Sequence, residues 1–231
     1  MIDGLRVLGL VPARGGSKGL PAKNIAPVGG RPLLAWTADA AHGSRYLDRT
    51  VLSTDDEAIA AAGEGCGLEV PFRRPTALAS DTAATIDVVV HALDILPGYD
   101  LLVLLQPTSP LRTAADIDAA IERLVATGAP SCVSVVSVEQ SPYWMVRIAD
   151  NWEVTPLLEP PVSATRRQEL PPIHALNGAV YAARVDWLRR ERRFVGDGTV
   201  AVVMPAERSL DIDTMADLER FRRLVNKDLN A

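Results

Sequence analysis

Short apolar runs alternate with longer stretches of mixed polarity along the first part of the chain. Four of the runs are rich in Leu or β-branched residues and are bounded by Gly, Pro, Asp or Ser: 7–12, 50–53, 100–105 and 132–138. Runs that are short, apolar and bounded in this way are typical of buried strands. We therefore predict a strand at each of these positions.

Helical patterns fill the intervals between the predicted strands. Over 116–126 the apolar residues recur at i, i+4, i+7 and i+8 and share one face, namely Ile117, Ile121, Leu124 and Val125. Further helices are predicted over 31–42, where Pro32 stands near the first turn, and over 82–96. The alternation of strands and helices predicts an α/β fold with a mainly parallel sheet.

The alternation stops after Val138. Prolines recur through the next stretch, at 142, 156, 160, 161, 171 and 172, together with Trp144 and Trp152. This stretch has too many prolines for a regular strand–helix unit and is too long for an ordinary loop. We predict an inserted lobe over 139–175, within a single domain 1–231, that covers a pocket or meets a second subunit; a solvated excursion is the alternative.

Regular structure is predicted to return after the lobe. Strands are expected over 177–183 and 200–204, followed by a last helix that either Asp213 or Thr214 caps. The apolar stripe of that helix contains Met215, Leu218, Phe221 and Val225.

Composition and charge exclude several classes of protein. The chain has 231 residues, with 24 Lys and Arg against 29 Asp and Glu, so its net charge of −5 disfavours binding to nucleic acid or to anionic membranes. The apolar run 101–105 is too short to span a bilayer, and the first residues do not form a secretion signal. Two cysteines and three scattered histidines give neither a disulfide framework nor zinc-ligand spacing. We expect a cytoplasmic protein.

The strongest chemical signal is the loop after the first predicted strand, which runs Pro12-Ala13-Arg14-Gly15-Gly16-Ser17-Lys18-Gly19-Leu20-Pro21-Ala22-Lys23-Asn24. Its glycines allow backbone N–H groups to approach a ligand, and Arg14, Lys18 and Lys23 concentrate positive charge in an acidic chain. Ligands of open α/β sheets bind beyond the carboxyl ends of the strands. The loop therefore predicts a polyphosphate site.

Other loop motifs fit less well. The loop is neither a Walker loop nor G-x-G-x-x-G. It contains G-x-S-x-G at 15–19, which leaves a serine hydrolase using Ser17 as a remote alternative, although Pro21 disfavours the immediate helix that such an elbow needs. A catalytically silent nucleotide-binding regulator is the other alternative.

Two pairs of carboxylates are candidates for metal binding. Asp211 and Asp213 are two residues apart, so in an extended segment they face the same side and could hold Mg²⁺. The alternative for Asp213 is the helix cap described above. Asp55 and Asp56 are interpreted mainly as the acidic start of a helix over 56–62.

These blocks resemble the acylneuraminate cytidylyltransferases, also called CMP-sialic acid synthetases. The loop 12–24 looks like the family signature, and the resemblance continues in the family's order at 53–57, 74–82, 104–112, 177–181 and 211–213. It implies a Rossmann-like nucleotidyltransferase fold with a mainly parallel sheet and a small inserted dimerisation lobe, and hence a homodimer. It also implies the reaction, in which a sugar acid attacks CTP with the help of Mg²⁺ and pyrophosphate leaves.

The resemblance also implies roles for individual residues. Those that would bind the nucleotide are Ala13, Arg14, Gly15, Gly16, Ser17, Lys18, Lys23, Asn24, Arg74 and Thr85. Those that would bind the sugar acid are Gln106, Arg167, Asn177 and Tyr181. Arg14, Lys18 and Asp211 would be catalytic, and Asp211 with Asp213 would hold the Mg²⁺. Arg74 would contact the pyrimidine edge, with a plain surface charge as the alternative, and His174 is interpreted as structural rather than as a general base.

The acceptor half of the chain departs from the family pattern. Bacterial sialic acid enzymes often have cations or aromatic rings where this chain has Trp144, Ala175 and Arg193. The acceptor therefore stays open among sialic, legionaminic, pseudaminic and deaminated nonulosonic acids. A phosphonate acceptor, or GTP as the donor, is an alternative. An octulosonate is disfavoured, because 106–108 lacks the acidic residue of that branch.

Overall fold

A computed structural model describes residues 1–16, 19–159, 166 and 170–228. The strands within them are β1 (Val7–Pro12), β2 (Pro27–Val28), β3 (Arg31–Pro32), β4 (Arg49–Ser53), β5 (Leu101–Leu104), β6 (Ser131–Ser137), β7 (Val146–Ile148), β8 (Val154–Pro156), β9 (His174–Arg184) and β10 (Val200–Val203). The α-helices are α1 (Leu33–His42), α2 (Glu57–Gly65), α3 (Thr85–Ile95), α4 (Ala114–Thr127), α5 (Val185–Glu191) and α6 (Met215–Asp228).

Six of these strands form one sheet in the order β10-β6-β9-β5-β1-β4. The pairs β1–β4, β1–β5 and β10–β6 are parallel, whereas β9 is antiparallel to both of its neighbours. The predicted α/β fold with a mainly parallel sheet is therefore confirmed. The single reversed strand was not predicted from the sequence.

Both faces of the sheet are covered, which explains why its strands are apolar throughout. Along β5 and just beyond it, Leu101, Val103 and Leu105 join the core under α1, α2 and α4. The intervening Leu102 and Leu104 join the opposite core, under α3 and α5. This alternation follows from the period of two along a strand.

Side-chain caps fix the starts of three helices. Asp56 caps α2 by accepting a hydrogen bond from the backbone N–H of Ile59, as its place in the sequence predicted. Thr113 and Asp116 form a reciprocal capping box at α4. At α6 the cap is formed by Thr214 with Asp217, so Asp213 is not the capping residue.

Some element bounds differ from the predictions for local reasons. The helix predicted over 31–42 begins at Leu33, because Arg31 and Pro32 pair with 27–28 in a short antiparallel ladder. Helix α5 was not predicted, since its seven residues are too few to give a periodic apolar pattern. The stripe of α6 buries Leu218, Phe221 and Val225, whereas Met215 is exposed.

The chain leaves the sheet after β6 and returns to it at β9, where Ser137 and His174 are paired. The excursion contains a short 3-10 helix, Pro142–Trp144, and the antiparallel hairpin β7–β8. All six hairpin residues are exposed. No helix in the described part of the chain has the length and apolar character needed to cross a membrane.

Candidate active site

A cavity of about 290 Å³ opens at the carboxyl ends of β1, β4 and β5. Its lining comes from four separate stretches of the sequence: Pro12, Arg14, Lys23, Asn24, Arg74, Leu78, Ser80, Asp81, Ala83, Thr85, Val88, Gln106, Pro107 and Thr108. Because parallel strands end together at this edge, residues that are far apart in sequence meet here. The position agrees with the site predicted from the glycine-rich loop.

Arg14 reaches into this cavity from the first turn beyond β1. Its Nη1 lies 2.8 Å from Asp81 Oδ1 and 3.4 Å from the Ala79 carbonyl oxygen. The buried Asn24 donates to the Arg14 carbonyl oxygen over 3.1 Å, so Asn24 shapes the loop backbone. These contacts connect the cationic loop to the segment 79–83, which also lines the cavity.

Gly15 packs directly against the start of α2. Its N–H donates to Asp55 Oδ1 over 3.1 Å, and an added Cβ would lie only 2.7 Å from Asp56 Oδ2. Only glycine allows such a close approach. Asp55, which the sequence placed at a helix start, instead accepts a hydrogen bond from the backbone of the loop after β1, whereas its neighbour Asp56 forms the cap.

Arg74 is nearly buried at the base of the cavity, with 6% of its surface exposed. Its Nε donates to Ser53 Oγ over 3.1 Å and its Nη2 donates to the Ser53 carbonyl oxygen. Burial lowers the pKa of Arg74 to about 10, against the opposing effect of Asp55 and with a further lowering by Arg14. Two guanidinium nitrogens are therefore fixed by β4, and Arg74 contributes to the lining of the cavity.

Lys23 connects the loop to the segment before α6. Its Nζ donates to the Ile212 carbonyl oxygen over 2.8 Å and lies 3.1 Å from Asp213 Oδ1. Gly19 packs against the same segment, since an added Cβ would lie 3.0 Å from the Asp213 carbonyl oxygen. The predicted metal residues therefore border the predicted phosphate loop.

Asp211 lies beside the turn that follows β5. The Thr108 hydroxyl donates to its carboxylate, and the Ile212 N–H donates to the Thr108 carbonyl oxygen over 2.8 Å. Desolvation by the surrounding protein raises the pKa of Asp211. The negative charge of Asp213 raises it further, whereas the hydrogen bond from Thr108 and the charge of Lys23 oppose the shift. A nearby cation would stabilise the ionised form of a carboxylate that is desolvated and close to another negative charge.

The donor chemistry fits a magnesium ion that is shared with a ligand. Among the described residues, no three His, Cys, Asp or Glu side chains converge as a complete metal site. Asp211 and Asp213 supply two carboxylates beside the lining residues Thr108 and Lys23, and the charge of Asp213 raises the pKa of Asp211. Mg²⁺ is commonly held by one or two carboxylates with water and phosphate oxygens in its other positions.

The residues predicted for the sugar acid fall into two groups. Gln106 lines the cavity. Tyr181 stands near Asp211, and its own pKa is raised first by burial and second by the Asp211 charge. Asn177 is buried away from the cavity lining. Its Oδ1 accepts from Ser134 Oγ over 2.6 Å and its Nδ2 donates to Ser209 Oγ over 3.0 Å.

The remaining predicted residues are placed as follows. Ala13 is buried, Gly16 is exposed, and Thr85 is the first residue of α3 at the cavity. Ser17, Lys18 and Arg167 lie outside the described residues. Their roles, like the other residue assignments, stay predictions.

The site also contains residues that the sequence reasoning missed. Asp81 faces Arg14 and Thr108 supports Asp211, although neither was singled out from the sequence. Both stand in blocks, 74–82 and 104–112, that carry the family resemblance.

Solved structures share this architecture. The structure of CMP:2-keto-3-deoxy-manno-octonic acid synthetase complexed with CTP superimposes with a TM-score of 0.74, at 17% identity over 96% of this chain and 99% of that one. A 4-diphosphocytidyl-2C-methyl-D-erythritol synthase from Anaerococcus prevotii gives 0.69, at 14% identity over 97% and 98% of the two chains. The chain therefore shares its fold with these two synthases.

Sequence comparison narrows this class. Residues 8–155 match a family model described as cytidylyltransferase. A CMP-N,N'-diacetyllegionaminic acid synthase from Legionella pneumophila is 34% identical over 98% of this chain and 99% of its own length. The chain belongs to the cytidylyltransferase family.

Other relatives carry different acceptor names. N-acylneuraminate cytidylyltransferase from Escherichia coli is 33% identical over 93% of this chain, which spans about half, 51%, of that protein. Pseudaminic acid cytidylyltransferase from Campylobacter jejuni is 31% identical over 96% of this chain and 97% of its own. The named acceptors are all nonulosonic acids of related chemistry.

Proposed function

We propose that this protein is a cytoplasmic, Mg²⁺-dependent cytidylyltransferase that joins CTP to a nonulosonic acid and releases pyrophosphate. The observation that carries the proposal is that Arg14, Arg74 and Gln106 line one and the same cavity, with Asp211 beside it. The relatives' names support both the nucleotide and the class of acid.

The cationic side of the cavity accounts for the binding of the nucleotide. CTP carries several negative charges, and Arg14, Lys23 and the loop N–H groups offset them. Arg74 lines the same cavity, and a guanidinium N–H that Ser53 does not occupy would suit the O2 and N3 acceptors of cytosine. Arg14 would exchange Asp81 for a phosphate oxygen when the nucleotide enters.

Asp211 and Asp213 would hold the Mg²⁺. When bound, the ion supplies charge neutralisation for the phosphates and so lowers the barrier to transfer. Thr108 orients the Asp211 carboxylate by a hydrogen bond, and Lys23 keeps Asp213 at the loop. These contacts set the two carboxylates in place before the ligand arrives, which reduces the cost of organising the site.

The acceptor would approach from the side of Gln106 and Tyr181. Both residues offer hydrogen bonds to a polyhydroxylated acid. Gln106 lines the cavity and Tyr181 stands near Asp211, so an acid held between them would bring its attacking hydroxyl toward the α-phosphorus. A nonulosonic acid is the substrate class that the named relatives share.

The lobe would form a homodimer. One face of the β7–β8 hairpin carries Val146, Ile148, Val154 and Pro156, all of them exposed. A two-stranded hairpin is marginally stable by itself, and an apolar face of this kind favours contact with a second surface. A second copy of the chain supplies that surface.

The test is a matrix of donors and acceptors. The full chain is incubated with Mg²⁺, with CTP or GTP, and with sialic, legionaminic, pseudaminic or deaminated nonulosonic acid, and pyrophosphate is measured. Release with CTP and at least one acid, abolished by EDTA and restored by added Mg²⁺, is the expected result. CTP binding with no pyrophosphate from any acid would instead make the protein a silent nucleotide-binding regulator.

A further inference from the structure

The most deeply buried cation of the described chain stands behind the cavity rather than in it. Arg112, in the segment between β5 and α4, has 3% of its surface exposed. Burial lowers its pKa to about 9, against the opposing effect of the Asp116 charge, so it stays protonated at neutral pH. Burying such a charge is costly unless strong hydrogen bonds compensate for it.

No carboxylate of the described residues is paired with this guanidinium. Asp116, the acid whose charge reaches it, instead binds Arg208 through two hydrogen bonds of 2.7 and 3.0 Å. Arg112 Nε is buried with no hydrogen-bond partner in this part of the chain. The residue is therefore held in place by neutral acceptors alone.

Those acceptors belong to three different elements. Nη1 donates to the Ala179 carbonyl oxygen of β9 over 2.6 Å and to the Gln106 carbonyl oxygen over 3.2 Å. Nη2 donates to the Thr37 hydroxyl of α1 over 2.6 Å. The planar guanidinium thus fixes a turn, a strand and a helix relative to one another.

The strand contact explains why a cation is useful at this point. Pairing between β5 and β9 ends at Leu104 and Tyr181. Beyond that point β9 continues without β5 beside it, and Arg112 supplies the donor for the Ala179 carbonyl oxygen. The guanidinium thus provides the hydrogen bond that a backbone N–H of a neighbouring strand would otherwise donate.

The turn contact connects Arg112 to the site. Gln106–Ser109 is closed by a hydrogen bond of 3.3 Å from the Ser109 N–H to the Gln106 carbonyl oxygen, the same atom that Arg112 contacts. The turn presents Gln106 to the cavity and Thr108 to Asp211. Movement of this turn therefore displaces both groups together.

We propose that Arg112 is a positioning residue, whose buried guanidinium fixes the Gln106–Ser109 turn against β9. It thereby aligns Gln106, on the side of the cavity proposed for the sugar acid, with Asp211. The effect on catalysis rests on the proposed function, whereas the effect on the turn does not. Arg112 itself touches neither substrate, because it is buried under the turn.

The test compares Arg112→Met, which keeps the length but loses every donor, with Arg112→Lys, which keeps the charge and some donors. Hydrogen exchange of the turn is measured in the full chain, along with CTP affinity and the steady-state constants for the acid. Arg45→Met is the matched control, since Arg45 binds Asp118 of α4 on the surface, away from the cavity.

In Arg112→Met we expect faster exchange at 106–109 and a loss of ~10- to 100-fold in kcat/KM for the acid. CTP affinity should change far less, Arg112→Lys should recover part of the loss, and the control should match wild type. Unchanged exchange at 106–109, or an equal loss of acid and CTP constants, would overturn the proposal.

Two further outcomes are separated by this design. If the wild type releases no pyrophosphate with any acid, the proposed function fails, and the exchange result alone decides the role of Arg112. If Arg112→Met does not fold, the same readouts are applied to Arg112→Lys and to Thr37→Val, which removes one acceptor and should loosen the turn to a lesser extent.

Discussion

Charged side chains at the cavity stand where the protein disfavours their charge. Burial lowers the pKa of Arg74 and desolvation raises the pKa of Asp211, so each shift opposes ionisation. Perturbations of this kind concentrate at functional sites, because a ligand of opposite charge relieves them. A triphosphate with its divalent ion is a ligand that would relieve both.

Asp211→Asn should separate function from stability. The folded-state pKa of Asp211 is raised, so its ionised form costs stability at neutral pH, and that cost disappears as the pH falls below the ordinary carboxyl value. We expect turnover to fall by about 100-fold or more, since the proposed magnesium ligand is lost, while the melting temperature stays the same or rises.

Pyrophosphate release and thermal unfolding at neutral pH measure the two effects. Asp197→Asn, on an exposed loop before β10, is the control and should change neither. A variant that keeps wild-type turnover would remove Asp211 from the metal site, and a clear drop in melting temperature would contradict the assigned pKa direction.

The sequence located single residues unevenly. The loop cations were found because they cluster in an acidic chain, and Arg14 and Lys23 do border the cavity. The roles of Asp55 and Arg112 depend on partners 40 and 67 residues away, which local patterns do not reveal. Both capping alternatives for α6 were chemically sound. The local contact between Thr214 and Asp217 assigns the cap to Thr214, and the long-range pair with Lys23 accounts for Asp213.

At the scale of elements, an ion pair ties α4 to the segment that carries Asp211. Burial acts to raise the pKa of Asp116, but hydrogen bonds from Arg208 and Thr113 outweigh it and lower the pKa below its ordinary value. The pair therefore contributes stability above the unfolded-state pKa, and this contribution is lost as the pH falls through the folded-state pKa.

Asp116→Asn should remove the pH-dependent stability that the Asp116–Arg208 pair contributes. At neutral pH we expect the free energy of unfolding to drop by about 1–2 kcal/mol, because the charged pair is lost while part of the cap survives. The difference from wild type should shrink in acid. Urea unfolding at a series of pH values measures both. Asp39→Asn, which breaks the exposed pair with Arg31, is the control and should have little effect at any pH.

If the difference in unfolding free energy between Asp116→Asn and wild type stayed equally large in acid, the assigned pH dependence of the Asp116–Arg208 pair would be wrong.

The elements of the fold differed in how well the sequence predicted them. Strands β1 and β5 were located well because buried apolar runs are unambiguous when short and bounded. The direction of β9 was not predictable, since alternation of side chains is the same in parallel and antiparallel strands.

At the scale of the whole molecule, the exposed hairpin predicts the assembly. Ile148→Glu combined with Val154→Glu places two charges on its apolar face. We expect the wild type to sediment as a dimer and this variant as a monomer with unchanged CTP affinity, because the cavity lies on other elements. Ile95→Glu, at an exposed apolar residue of α3, is the control and should remain dimeric. A monomeric wild type, or a dimeric double variant, would exclude the hairpin as the interface.

The central claim is the transfer itself, and product analysis tests it most directly. The full chain, Mg²⁺, CTP and each nonulosonic acid are incubated together, and the mixture is examined by mass spectrometry and phosphorus NMR. We predict a conjugate of CMP with one of the acids, joined by a single phosphodiester and formed in equal amount to pyrophosphate. Intact CTP and free acid in every mixture, at protein concentrations where CTP is bound, would contradict the proposed function.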